Sequence, residues 1–220
     1  MRTKRIAVGL IGCGWAALLA GCLAASRQLT PPPSEGKADE CQAALKIAGD
    51  QYQAYQLAKP AAPVDVAKLS LAVVADPGMR FARTAGLPYG TVPPAKEVDE
   101  ATRNHMASAV LAGAKDYLAT KQKVTISDQA PLRVLVVLTG RGGVLFGANE
   151  EDCGSSIDYD VMLLNTQQHQ VLWYPGGMCG CGRSEQDAEA ADVKGVSEAL
   201  QKLFGDKDTK DAKDTKAPPK

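Results

Sequence analysis

The sequence predicts an α/β or α+β domain: a mixed sheet with a C-terminal hairpin, flanked by helices, in a single folded unit. Three observations carry this expectation. Apolar runs of strand length, such as Arg133-Val-Leu-Val-Val-Leu138, alternate with helix-length stretches whose apolar residues recur every three or four positions. Two short apolar runs, Ser156 to Asn165 and Gln170 to Tyr174, are separated only by Thr166 to His169, the spacing of a hairpin. The chain of 220 residues is 45% hydrophobic, enough for one core.

In chain order, Ala38 to Leu57 reads as a helix that stops near Pro60, and Val66 to Val74 as a strand ending at the turn Asp76-Pro77-Gly78. Glu97 to Thr120 is a long helix with Met106, Val110, Gly113, Ala114 and Tyr117 on one stripe, its small residues permitting close approach to a sheet. Lys123 to Ser127 and Leu132 to Leu138 are the next strands. The run Thr139-Gly140-Arg141-Gly142-Gly143 is expected to be a glycine-rich turn; it lacks the G-x-x-x-x-G-K spacing of a phosphate-binding loop. With Gln167-Gln168 at the hairpin tip, facing residues sum to 335, which sets Cys153 opposite Gly182. In the final helix Ser184 and Asp187 form a capping box, Val193, Val196, Leu200 and Leu203 a stripe, and Gly205 the stop.

The ends differ in kind. Arg2, Lys4 and Arg5 precede an uncharged segment, Ile6 to Ala20, that finishes in small residues, the layout of a cleaved secretory signal. A retained membrane anchor competes, since no charge returns before Arg27. Gly9, Gly12, Gly14 and Gly21 dilute the run, however, and no basic stop follows it, which favours cleavage. Residues 1–21 are therefore read as a signal peptide, 22–37 as a linker rich in Pro, Ser and Gly, 38–205 as the domain and 206–220 as a disordered Lys/Asp-rich tail.

Leu19-Ala20-Gly21-Cys22 resembles the lipobox of bacterial lipoproteins. The resemblance implies diacylglyceryl attachment to the Cys22 thiol, cleavage between Gly21 and Cys22, and acylation of the freed amine. Two or three acyl chains make a stable tether where one gives only marginal binding. Leu23 follows the cysteine in place of the Asp that signals inner-membrane retention, which implies the outer membrane, with the domain facing the periplasm. The order of strand, long helix, strands, hairpin ending in Val171-Leu-Trp-Tyr-Pro175 and final helix is similar to the periplasmic domains of the curli-secretion and penicillin-binding-protein activator lipoproteins, over about Val66 to Phe204. That likeness implies a non-enzymatic role.

Removing residues 1–21 takes three of the 25 Lys and Arg and none of the 25 Asp and Glu, leaving a net charge of −3. Nothing in this balance points to nucleic acid, which needs a clustered basic excess. Four cysteines then remain beside Cys22, namely Cys41, Cys153, Cys179 and Cys181, an even number in an oxidising compartment. Two disulfides are expected. Cys179 to Cys181 closes too tight a ring, which leaves Cys153 with Cys181 or Cys179, and Cys41 with the remaining one. The Cys179-Gly180-Cys181 pair carries the competing reading, a thiol-redox or metal-handling lipoprotein.

Supporting metal ligands are scarce. His105, in the long helix, reads as a partly exposed helical residue, and His169, at the hairpin tip, as a solvated turn residue. The acidic run Asn149 to Asp152 lacks the alternation of a calcium loop. No catalytic residues, metal or cofactor are expected, and no G-x-S-x-G, H-E-x-x-H or carboxylate pair argues for an enzyme. The expected function is a lipid-anchored binding or envelope-assembly accessory, whose partners are the membrane, through the anchor, and a periplasmic protein or envelope polymer.

Overall fold

A computed structural model of the chain describes residues 27–58, 63–83, 96–143, 155–182 and 188–205. The signal segment, Cys22, Cys153, Asn149 to Asp152, the Ser184 capping box and the tail lie outside these residues. Within them the fold is the expected α+β one, built on a mixed nine-stranded sheet.

The first strand, β1 (Gln28–Leu29), pairs antiparallel with β3 (Val64–Asp65), separately from the main sheet. Helix α1 (Ala38–Ala48) is shorter than the pattern predicted. Gly49 leaves it at φ +118°, a backbone conformation that side chains disfavour, and the chain passes through a 3-10 turn at Asp50–Tyr52 into β2 (Gln56–Leu57). Strand β4 (Lys68–Ala75) ends at the expected turn, where the Gly78 N–H donates to Asp76 Oδ1 at 2.7 Å. Then come β5 (Arg80–Arg83) and β6 (Lys96–Glu97). Helix α2 (Glu100–Thr120) starts three residues later than predicted, because Asp99 caps it by accepting the Thr102 N–H at 2.9 Å and the Thr102 hydroxyl at 2.7 Å. These bonds hold the Asp99 carboxyl below its ordinary range.

The next strands are β7 (Thr125–Ile126), β8 (Leu132–Gly143), β9 (Ser155–Asn165), β10 (Gln170–Trp173) and β11 (Gly177–Gly182), with α3 (Ala188–Phe204) last. The main path runs β2-β10-β9-β8-β4-β7. Along it β4 is parallel to β8 and to β7, and β8 and β10 are antiparallel to β9. Strand β11 also pairs with β9, and β5 joins β6 to β8.

Two sequence expectations fail here for identifiable reasons. Thr139 to Gly143 is the end of β8, not a turn. Gly140 stands opposite Asp158, and a Cβ there would lie 2.8 Å from Asp158 Oδ2, so the glycine keeps the strand paired beside a carboxylate. The hairpin opens on the expected register, Gln170 facing Asn165, but an irregularity between Val171 and Trp173 shifts it, and Gly182 faces Ser155 instead of Cys153.

Side-chain alternation sorts the core into two layers. Val134, Val136 and Leu138 of β8 and Ile157, Tyr159, Val161 and Leu163 of β9 face α2 and α3. Leu135, Val137, Met162 and Leu164 face α1. The small-residue stripe of α2 serves helix–helix contact as well as the sheet: Gly113 abuts Val193 of α3. A polar strut, Arg133 Nε to Ser70 Oγ at 3.1 Å and Arg133 Nη1 to the Tyr52 hydroxyl at 3.0 Å, ties the 3-10 turn to the sheet.

Candidate functional site

The segment expected to be a free linker is part of the domain from Arg27 onward. The Arg27 guanidinium bonds both the backbone carbonyl and the side-chain oxygen of Gln122, the latter at 2.7 Å, and lies over the Phe204 ring, 5.3 Å from its centroid. The Arg27 carbonyl accepts the Val66 N–H at 2.8 Å, and β1 continues the attachment. Pro31 is buried. Further on, the Ser34 hydroxyl accepts the Tyr174 N–H and the Gly36 N–H donates to the Tyr174 carbonyl, each at 3.1 Å. Gly36 is required there: a Cβ would fall 2.5 Å from Tyr174 Cδ1 and 2.6 Å from the Gly176 nitrogen. The proline-bearing segment expected to be a spacer is thus laid along the domain.

Between this segment, the β10–β11 connection and the end of α3 lies a groove of about 610 Å³. Pro32, Pro33, Pro175 and Met178 line it with apolar surface, but Glu35, Cys179 and Lys202 also line it, so the lining is mixed, with one charge of each sign.

Beneath the docked segment is a buried polar cluster that the sequence did not reveal. The Tyr174 hydroxyl donates to Asp160 Oδ1 at 2.8 Å, and Asp160 is only 8% exposed. Burial pushes the Asp160 carboxyl up, and the Tyr174 bond opposes that shift. Tyr174 is raised in turn by burial and by its bond to Asp160. The one sequence signal was Ile157-Asp-Tyr-Asp-Val161, which reads as a strand with a solvent face; α1 covers that face at Asp160.

Cys41 lies beside this cluster as a thiol, fully buried on α1, its Sγ 4.0 Å from Met162 Sδ. Burial first, and the Asp160 charge second, push it up to about 12. The expected disulfide from Cys41 to Cys179 or Cys181 is not formed in this structure, because α1 turns the sulfur into the apolar layer against the sheet. Cys179, exposed on β11, faces Asp158 across the strands, and Cys181 faces Ser156.

The two histidines lie on other elements. His105 is exposed on α2, and His169 adopts φ +51° at the hairpin tip with its ring edge-on to Tyr55, centroids 5.2 Å apart. Among the described residues no three His, Cys, Asp or Glu side chains converge as a metal site would need, and no helix is long and apolar enough to cross a membrane.

No protein-family model and no curated protein matches the chain. Its fold is similar to solved structures at low identity. A Xanthomonas campestris protein of the family DUF330 is 9% identical, over 63% of this chain and 81% of that one, with a TM-score of 0.36. The PelC dodecamer subunit from Paraburkholderia phytofirmans is 10% identical over 63% and 89%, with a TM-score of 0.35. A putative neuraminyllactose-binding hemagglutinin homolog from Helicobacter pylori is 12% identical over 61% and 78%, with a TM-score of 0.23.

Proposed function

We propose that this chain is a lipoprotein, acylated on Cys22 and held at the outer membrane with its domain in the periplasm, where it acts as a non-enzymatic binding or envelope-assembly accessory. The observation that carries the reading is Leu19-Ala20-Gly21-Cys22 at the end of an uncharged segment that follows Arg2, Lys4 and Arg5. Acyl chains on Cys22 supply membrane affinity without a spanning helix. The open groove beside Pro175 and Met178, with its mixed polar and apolar lining, is compatible with a binding role, its occupant being a periplasmic protein or envelope polymer. In that oxidising compartment Cys153 bridges Cys181 or Cys179, and peptide mapping without reduction identifies which.

The test is Cys22→Ser. The unaltered protein takes up radioactive palmitate; the variant takes up none and stays unprocessed or leaves the membrane fraction. Persistent labelling of the variant contradicts the proposal.

A further inference from the structure

The lipid anchor proposed at Cys22 and the docking of the chain at Arg27 together fix which end of the domain meets the bilayer. Arg27 lies five positions after Cys22, so the anchored residue lies at most about 18 Å from the first docked one. Arg27 is held at one particular end of the sheet. Its carbonyl accepts the Val66 N–H just ahead of β4, and its guanidinium grips Gln122 in the turn between α2 and β7. It also covers Phe204, the last residue of α3. Lys68, at the start of β4, pairs with Thr125, which places the starts of β4 and β7 beside the C-termini of α2 and α3 at this same end.

The exposed basic charges here outnumber the acidic ones. Lys68, Lys121 and Lys123 project to solvent, with Lys202 in the last turn of α3. Of the acidic residues, Asp65, Asp116 near the end of α2 and Asp128 are exposed, the Asp65 carboxylate accepting the backbone N–H groups of Arg27 and Ala67 at 3.1 and 2.9 Å.

The opposite end is set by strand length. From Leu132 to Gly143, β8 runs roughly 36 Å, about twice the reach of the segment from Cys22 to Arg27. Arg83 pairs with Gly143 there, and Ser155 with Gly182. The chain therefore leaves β5, β8 and β11, and enters β9, at the end remote from Arg27.

We infer that the Arg27 end, with Lys68, Lys121 and Lys123, is a lipid-facing surface that rests against anionic headgroups, and that the domain stands on the bilayer with the Arg83–Gly143–Gly182 end outward. The inference rests on acylation of Cys22. Because Arg27 is clamped, the anchor sets an orientation as well as a location, and the ends of β5, β8 and β11 and the start of β9 are presented to the compartment.

Site-specific photocrosslinking tests this with the full lipidated chain in vesicles of phosphatidylethanolamine and phosphatidylglycerol. A benzophenone-bearing residue replaces exposed Lys121 in one protein and exposed Arg80, at the far end, in another. Lipid adducts are expected from position 121, and from position 80 only the background of a protein without the probe. Equal adduct yields, or more from position 80, overturn the orientation. Palmitate incorporation is measured on the same preparations: absence of lipid on Cys22 overturns both the anchor and the orientation, whereas lipid on Cys22 with equal adducts overturns the orientation alone. Arg27→Ala in the Lys121-probe protein, checked for an unchanged circular dichroism spectrum, is expected to lose most of the adduct; full retention shows that the Arg27 clamp does not set the orientation.

Discussion

Replacing Gly113 by alanine sets two known effects against each other, and the structure says which wins. Alanine in a helix interior is favoured over glycine by about 1 kcal/mol, so Gly113→Ala would stabilise α2 were it solvent-exposed. In the fold, a Cβ at Gly113 would lie 2.9 Å from Val193 Cγ2 and 3.1 Å from Val193 Cβ, and closer still to Cγ1. Rotating Val193 moves its methyls but not its Cβ, so relief requires α2 and α3 to separate. Overpacking of this kind costs about 1–3 kcal/mol, which exceeds the helix gain. The expected net loss is about 1 kcal/mol, a fall in Tm of about 2–4 °C for a domain of this size. Urea denaturation gives the free energies, and a double-mutant cycle isolates the contact. In a Val193→Ala background the crowding methyls are gone, the helix gain should prevail, and Gly113→Ala should become neutral or stabilising, with a coupling of about 1–2 kcal/mol. If Gly113→Ala stabilises the unaltered protein, or has the same effect in both backgrounds, the α2–α3 packing described above is wrong.

Three further outcomes follow from the cluster under the N-terminal segment. Burial raises the folded-state pKa of Asp160 above the 3.8 of the unfolded carboxyl, so the folded state binds this proton more tightly, and Asp160 costs stability as pH rises from 3.8 through the raised value. Asp160→Asn should lack that slope, and subtracting its pH–stability curve from that of the unaltered protein cancels the other carboxylates; parallel curves would refute the assignment. Cys41, fully buried and pushed up to about 12, should resist iodoacetamide in the native protein at neutral pH and react on unfolding, with mass spectrometry of the Cys41 peptide as the readout. Gly36→Ala should drive the segment off Tyr174 and speed tryptic cleavage after Lys37; unchanged cleavage would show that the docking at Tyr174 is dispensable.

How much of this was legible depended on whether a residue's environment is set by local pattern or by what packs over it. Leu132 to Leu138 was plain because a strand covered on both faces is apolar throughout, and here α1 covers one face while α2 and α3 cover the other. The helix from Ala38 was overextended because its apolar spacing continues past Gly49, and only a backbone at φ +118° reveals the break. Pro31 to Pro33 read as an extended spacer, but whether such a segment floats or docks depends on Gly36 meeting Tyr174, a contact between residues distant in sequence. Asp160 was missed for the same reason: Ile157 to Val161 alternates like a half-exposed strand, and nothing local shows that the Asp160 position lies under α1. Cys41 was assigned to a bridge by cysteine counting, which carries no information about the direction in which α1 turns its sulfur.

The central claim is that Cys22 is the acylated N-terminus of the mature chain and that the domain begins within a few residues of it. Mass spectrometry of the N-terminal tryptic peptide from membrane-extracted protein tests it most directly. Cleavage after Arg27 should release a peptide that begins at Cys22, ends at Arg27 and carries the mass of a diacylglyceryl group, with a further acyl chain on the amine where that step is completed. A peptide that begins upstream of Cys22, or one that begins at Cys22 with an unmodified thiol, would contradict it.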